Sequence, residues 1–138
     1  MKMDKLNIIS KKIPIIKNIN GNILKGIDKN SDYFKGFGEL YFSFIKENSI
    51  KAWKKHDNIT SIFFVPIGNV KFVLYSNSKF KSYIIGENNH RLLRIKPKTW
   101  YGFKGMSQNN NLVVSLINKV HNDKEMQRKK LNFLKYSW

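Results

Sequence analysis

The chain contains no cysteine, which excludes disulfides and thiolate metal sites. It has no apolar run near the roughly 18 residues that a membrane span needs. The opening segment, "MKMDKLNIISKKIPIIKNI", has apolar runs too short and too broken by lysine for a signal peptide. These absences point to a soluble, cytoplasmic protein with no membrane span. Arginine is scarce, with three against 23 lysines. That scarcity bears on the net charge of +17, which by itself would suggest nucleic acid or an anionic surface. The guanidinium is the group suited to bidentate contact with phosphate or guanine. Neither a zinc finger, nor an aromatic-rich RNA-binding strand, nor a long basic helix is present. The 23 lysines, 17 asparagines and 17 isoleucines match the skew of an AT-rich coding sequence. Nucleic acid is therefore the disfavoured partner. A basic pocket for a small phosphorylated ligand fits the charge equally well.

What is present is a sequence able to build a core. A length of 138 residues suits one domain covering 1–138, and 41% hydrophobic with 14% aromatic residues excludes a mostly disordered chain. The apolar segments are short and separated by turn-like stretches at intervals of about 8–12 residues, the pattern of an all-β antiparallel jelly roll. "ELYFSFI" (39–45) alternates, as does "NVKFVLYS" (69–76). "SIFFVPI" (61–67) is nearly continuous and should be buried on both faces. "KSYIIG" (81–86), "RLLRI" (91–95) and "NLVVSLI" (111–117) complete the set. Phe42, Phe44, Phe63, Phe64 and Phe72 read as core, and His90 and His121 as surface residues in loops. A short helix is expected over 122–135, with Asn122 as N-cap and Asp123 and Glu125 in its first turn. Residues 1–19 read as an N-terminal arm.

Three segments carry a resemblance: "GFGELYFSFIKENSIKAWKKHDNITSIFFVPIGNVKFVLYS", "YIIGENNHRLLRIKPKTWYGFKGMS" and "LVVSLINKVHNDKE". In order and layout, over residues 20 to 128, the chain resembles the dTDP-4-dehydrorhamnose 3,5-epimerase family of cupins, to which sugar 3,4-ketoisomerases are related. The resemblance implies a cupin barrel and proton removal beside the ketone of a nucleotide-linked 4-keto-6-deoxy sugar. It also implies surface-carbohydrate biosynthesis as the setting. No cofactor is implied, because the substrate's own ketone stabilises the carbanion. The relatives pair through β-strands, and "IIKNINGNI" is apolar enough to exchange between subunits, so a homodimer is expected.

Carried over position by position, the family's two motif histidines fall on Lys54 and His56, and its phosphate-binding arginine on Lys51. The histidine before Gly-Phe becomes Tyr101. The acidic tyrosine of the last strand becomes Ser115, and the aspartate that orients the base has no clear match near the C-terminus. The metal-binding positions of other cupins hold Lys54, His56, Thr60 and Tyr101, and one imidazole does not make the roughly three protein ligands of a catalytic metal site. His56, Lys54 and Tyr101 are therefore the expected catalytic groups. An imidazole titrates near neutral pH. A half-buried lysine serves as a base or as a fixed charge. A phenol donates a hydrogen bond. Lys51, Trp53, Thr60, Ser115 and Trp100 are the expected substrate-binding residues, the two indoles offering flat faces to a base or sugar ring. The alternative is a catalytically altered cupin that binds a sugar nucleotide or glycan without turnover.

Overall fold

The computed structural model describes residues 8–138 and is built almost entirely of antiparallel strands. In chain order these are β1 (Ile8–Lys12), β2 (Ile15–Ile16), β3 (Ile23–Leu24), β4 (Glu39–Lys46), β5 (Ile50–His56) and β6 (Ser61–Ile67). There follow β7 (Asn69–Ser76), β8 (Lys79–Gly86), β9 (Arg91–Ile95), β10 (Trp100–Gly105), β11 (Asn110–Ile117) and β12 (Met126–Arg128). One five-stranded sheet runs β1-β9-β6-β11-β4 and the other β12-β5-β10-β7-β8, while β2 and β3 form a small separate hairpin.

The two sheets share a core because their alternating side chains meet between them. Phe63 and Val65 of β6, Leu93 of β9 and Val113 of β11 pack against Phe72 and Leu74 of β7 and against Tyr101 and Phe103 of β10. The Phe63 ring lies 5.3 Å from Phe72 and 5.5 Å from Tyr101, and Phe72 lies 5.5 Å from Phe103. The unbroken apolar reading of 61–65 has a plain cause: every residue there is buried. Ile62 and Phe64 point away from the shared core into a second cluster with Leu92 and Leu116, roofed by Ile13, Ile27, Tyr33 and Phe34. The outer face of the other sheet is roofed by aromatics of the C-terminal segment. Trp138 lies 5.3 Å from Trp53, Phe133 lies 5.1 Å from Trp100 and Tyr136 lies 5.0 Å from Phe80.

One asparagine ties the sheets at the β6–β7 turn. Asn111 is fully buried. Its side-chain oxygen accepts from the backbone N–H of Asn69 (2.9 Å) and Ser107 (3.2 Å), and its nitrogen donates to the carbonyls of Ile45 and Ser107 (both 3.1 Å). Gly68, at φ +78, completes the turn, and a Cβ there would lie 2.2 Å from the Asn111 oxygen. Gly68→Ala is therefore expected to lower the urea midpoint clearly, through strain and through displacement of Asn111. An unchanged midpoint would contradict this account of the turn.

Several expectations need correction. No α-helix forms over 122–135. Two short 3-10 turns, Asp123–Glu125 and Leu131–Phe133, flank β12 instead. The reason is the open edge of β5: β12 pairs with it, and Lys129 exchanges backbone hydrogen bonds with Trp53 in both directions. A helix would leave that edge unpaired. Asn122 does cap the first turn, accepting from the Lys124 N–H. Phe42 and Phe44 are not core; they are 64% and 59% exposed, because β4 ends its sheet and no segment among the described residues covers their side of it. His90 is buried rather than superficial, with Nε2 2.6 Å from the Lys25 carbonyl oxygen. Of the arm expected over 1–19, residues 1–7 lie outside the described residues. Residues 8–12 are an edge strand paired with β9, and Ile15–Ile16 belong to the small hairpin.

Candidate active site

The site begins with an irregularity in β5. Against β10, Lys54 pairs with Tyr101 and Lys51 with Phe103, so β5 spends three steps where β10 spends two. The extra residue is a bulge. It carries Lys51 and Lys54 to the same face, which a regular strand would not do. Trp53 is turned to the opposite face, where its indole nitrogen donates to the Leu131 carbonyl (3.1 Å). Gly102 allows the close approach, since a Cβ there would sit 2.4 Å from that of Ala52.

Beyond the bulge β5 alternates normally, and His56 joins Lys54 on the inner face. There the two sheets part to leave a cleft of about 400 Å³, lined among others by Lys54, His56, Tyr101, Ser115 and Arg128. The His56 and Tyr101 rings stack with centroids 6.3 Å apart. Arg128 pairs with Lys54, and Met126 with His56, across the β5–β12 ladder. Lys51 stands at the rim. Its Nζ donates to the Ser43 hydroxyl (2.9 Å) and to the Phe44 carbonyl (2.8 Å).

The central contact joins His56 Nδ1 to Glu125 Oε1. The other Glu125 oxygen accepts from the Asn58 N–H at 3.1 Å. Burial pushes the Glu125 carboxyl upward, but the hydrogen bonds from His56 and Asn58 outweigh it, and the pKa lies below the ordinary value of 4.5. A carboxylate on Nδ1 fixes the ring orientation and leaves Nε2 as the nitrogen able to accept a proton. Burial pushes the Tyr101 hydroxyl strongly upward, against the pull of Arg128 and with a small push from Glu125. It stays protonated at neutral pH and acts as a donor. Burial, and after it the charges of Arg128 and Lys51, lower the Lys54 ammonium from its usual pKa. Because Glu125 is more acidic folded than unfolded, its stabilisation is present above the ordinary carboxylate range and fades as pH falls through its lowered pKa. In thermal melts, Glu125→Gln should therefore be less stable than the wild type at neutral pH and should converge with it in acid. A constant difference across that range would contradict the pair's role.

Of the residues expected at the site, Lys54, His56, Tyr101 and Ser115 line the cleft and Lys51 borders it. Trp53 and Trp100 do not; both lie under the C-terminal segment on the far side of the sheet. The expected flat ligand-binding faces are thus occupied. Thr60 is not among the cleft-lining residues, and its N–H donates to the Asn118 side chain (2.9 Å). Among the lining residues that sequence reasoning missed are Tyr41, whose hydroxyl donates to Glu39, and Ser43, His121, Arg128 and Met126. It also missed Glu125, which orients His56. Among the described residues no group of three or more His, Asp or Glu could hold a metal ion.

No family model matches the chain. The dTDP sugar isomerase of Desulfovibrio desulfuricans G20 is 32% identical, with a TM-score of 0.89 over 95% of this chain and 90% of that one. A 3,4-ketoisomerase of Thermoanaerobacterium thermosaccharolyticum, solved as a mutant in complex with TDP-4-keto-6-deoxyglucose, superposes with a TM-score of 0.78 at 15% identity. It covers 89% of this chain and 88% of its own. Among curated proteins, a probable low-salt glycan biosynthesis epimerase of Haloferax volcanii is 20% identical over 101 residues, which is 67% of this chain. The chain matches 65% of that relative's length. The chain belongs to the family of dTDP-4-dehydrorhamnose 3,5-epimerases and related sugar 3,4-ketoisomerases.

Proposed function

We propose that this protein is an isomerase of a nucleotide-linked 4-keto-6-deoxy sugar, acting in the cytoplasm in surface-carbohydrate biosynthesis, on a single cupin jelly-roll domain. The observation that carries the reading is the His56–Glu125 pair opening onto a cleft that also holds Lys54 and Tyr101. His56 Nε2 takes the proton from the carbon beside the ketone. The C–H electrons pass into the carbonyl, and the developing oxyanion meets the Tyr101 hydroxyl and the charge of Lys54. Return of the proton to the other face gives an epimer, and return to the neighbouring carbon shifts the ketone. Lys51 and Arg128 supply positive charge for the diphosphate. The cleft volume falls within the usual range for small-molecule sites. The direct test is to incubate the protein with TDP-4-keto-6-deoxyglucose in deuterated buffer. Deuterium should enter beside the ketone faster than in buffer alone.

A second reading, binding without turnover, draws on Ser115 and Lys54 standing where the family carries a tyrosine and a histidine. Tight binding without exchange would establish it. In either case a homodimer is proposed. Leu40, Phe42 and Phe44 of the edge strand β4 are exposed, as are Ile15, Ile16 and Ile23 of the hairpin. Together they offer apolar surface for a second copy to cover. Light scattering at micromolar concentration should give twice the chain mass, and a monomer mass would reject the dimer.

A further inference from the structure

Lysine at position 54 has a chemical capacity that an imidazole lacks. Its primary amine can form a C=N bond to a ketone. We propose that Lys54 is a covalent catalyst that captures the 4-keto group of the substrate as an iminium ion, leaving the His56–Glu125 pair to remove the adjacent proton. The inference rests on the sugar-isomerase reading above and deepens it.

Three features of the site support this role. First, Lys54 lies on the cleft wall, two residues from His56 on the same face of β5, so both reach one small substrate. Second, its neighbours are the cations Arg128, opposite it on β12, and Lys51 across the bulge. No hydrogen-bond or ion-pair partner among the described residues holds its Nζ as an ammonium. Third, desolvation and adjacent positive charge are the two devices that free a lysine amine for attack on a carbonyl. Both act on Lys54 in the direction of the neutral amine. A lysine meant only to neutralise a phosphate would gain from a more open setting, as Lys51 has at the rim.

The chemistry balances without any added reagent. The ammonium gives up a proton and its nitrogen lone pair attacks the carbonyl carbon, while the C=O π electrons move to oxygen. That oxygen takes up the released proton and a second one from nitrogen, and leaves as water as the lone pair closes the C=N bond. The sum is an ammonium plus a ketone giving an iminium plus water. His56 Nε2 then accepts the neighbouring C–H proton, and the C–H electron pair flows to the iminium nitrogen to give an enamine. Reprotonation at carbon restores the iminium, and water hydrolyses it to the product ketone and the free lysine. The iminium is a stronger electron sink than the ketone.

Sodium cyanoborohydride reduces an iminium to a stable amine near neutral pH and so traps this intermediate. Wild-type protein incubated with TDP-4-keto-6-deoxyglucose and cyanoborohydride should gain the mass of the sugar nucleotide less one oxygen atom. Peptide mapping should place the gain on Lys54. Without reductant, Lys54→Arg keeps the charge but cannot form the iminium, and it should lose roughly 100-fold or more of deuterium exchange, the scale of a removed catalytic group. If the wild type exchanges deuterium but yields no adduct, or an adduct on another lysine, the covalent role is wrong and the isomerase reading stands. The same holds if Lys54→Arg exchanges at the wild-type rate. If the wild type shows neither exchange nor adduct, both fall.

Discussion

His56→Ala abolishes exchange of the proton beside the ketone: a fall of ~100- to 10,000-fold is expected, the contribution of a positioned general acid–base group. The expectation follows from the ring's environment. Its Nδ1 is held by Glu125, the ring is buried against Tyr101, and Nε2 remains for the substrate. Lys51 and Arg128, the groups proposed to bind the diphosphate, are untouched by the substitution. The loss should therefore appear in turnover, while the affinity for the sugar nucleotide changes little. Glu125→Gln should give a smaller loss, because an amide still orients the ring but does not stabilise its charged form. Exchange at the wild-type rate in His56→Ala would remove the imidazole from the mechanism.

The largest expected effect on stability is at Asn111. Replacing it with alanine leaves two carbonyl oxygens (Ile45 and Ser107) and two N–H groups (Asn69 and Ser107) without their present partner. Each unsatisfied buried group costs ~1–3 kcal/mol. Some will be reached by water, so the expected total is about 4 kcal/mol in urea denaturation. Asn111→Asp retains the acceptor and loses the donor, and should fall between the two. A loss below about 1 kcal/mol for the alanine variant would mean that these groups find other partners, since that is the size of a single net hydrogen bond.

The strands were legible because alternation is a local property. Val70, Phe72 and Leu74 share a face in the sequence pattern and in the core alike. What covers a face is not local. Phe42 and Phe44 alternate as well as Phe72 does, but only the position of β4 at the sheet edge leaves them exposed. The motif "KAWKKH" hid its strand for a related reason: a bulge breaks the period of two, so no face of β5 reads cleanly. Glu125 was hidden by distance. It lies 69 residues from His56, and its neighbours Asn122 and Asp123 gave it a local reading as the acidic first turn of a helix. Those local signals produce one 3-10 turn, and the edge of β5 claims the backbone that follows.

The bulge in β5 also acts beyond the cleft. One residue fewer between positions 51 and 54 would restore a regular ladder in which Lys51 still faces Phe103 and Lys54 still faces Tyr101, so the cleft would keep both lysines and His56. The loss would fall on the other side of the sheet, where the extra residue lets the Trp53 indole reach the Leu131 carbonyl. Substitutions at Lys51, Lys54 and His56 try new chemistry within a fixed geometry. The bulge thus serves two faces at once: the cleft uses its ends, and the C-terminal segment is anchored by the residue in its middle.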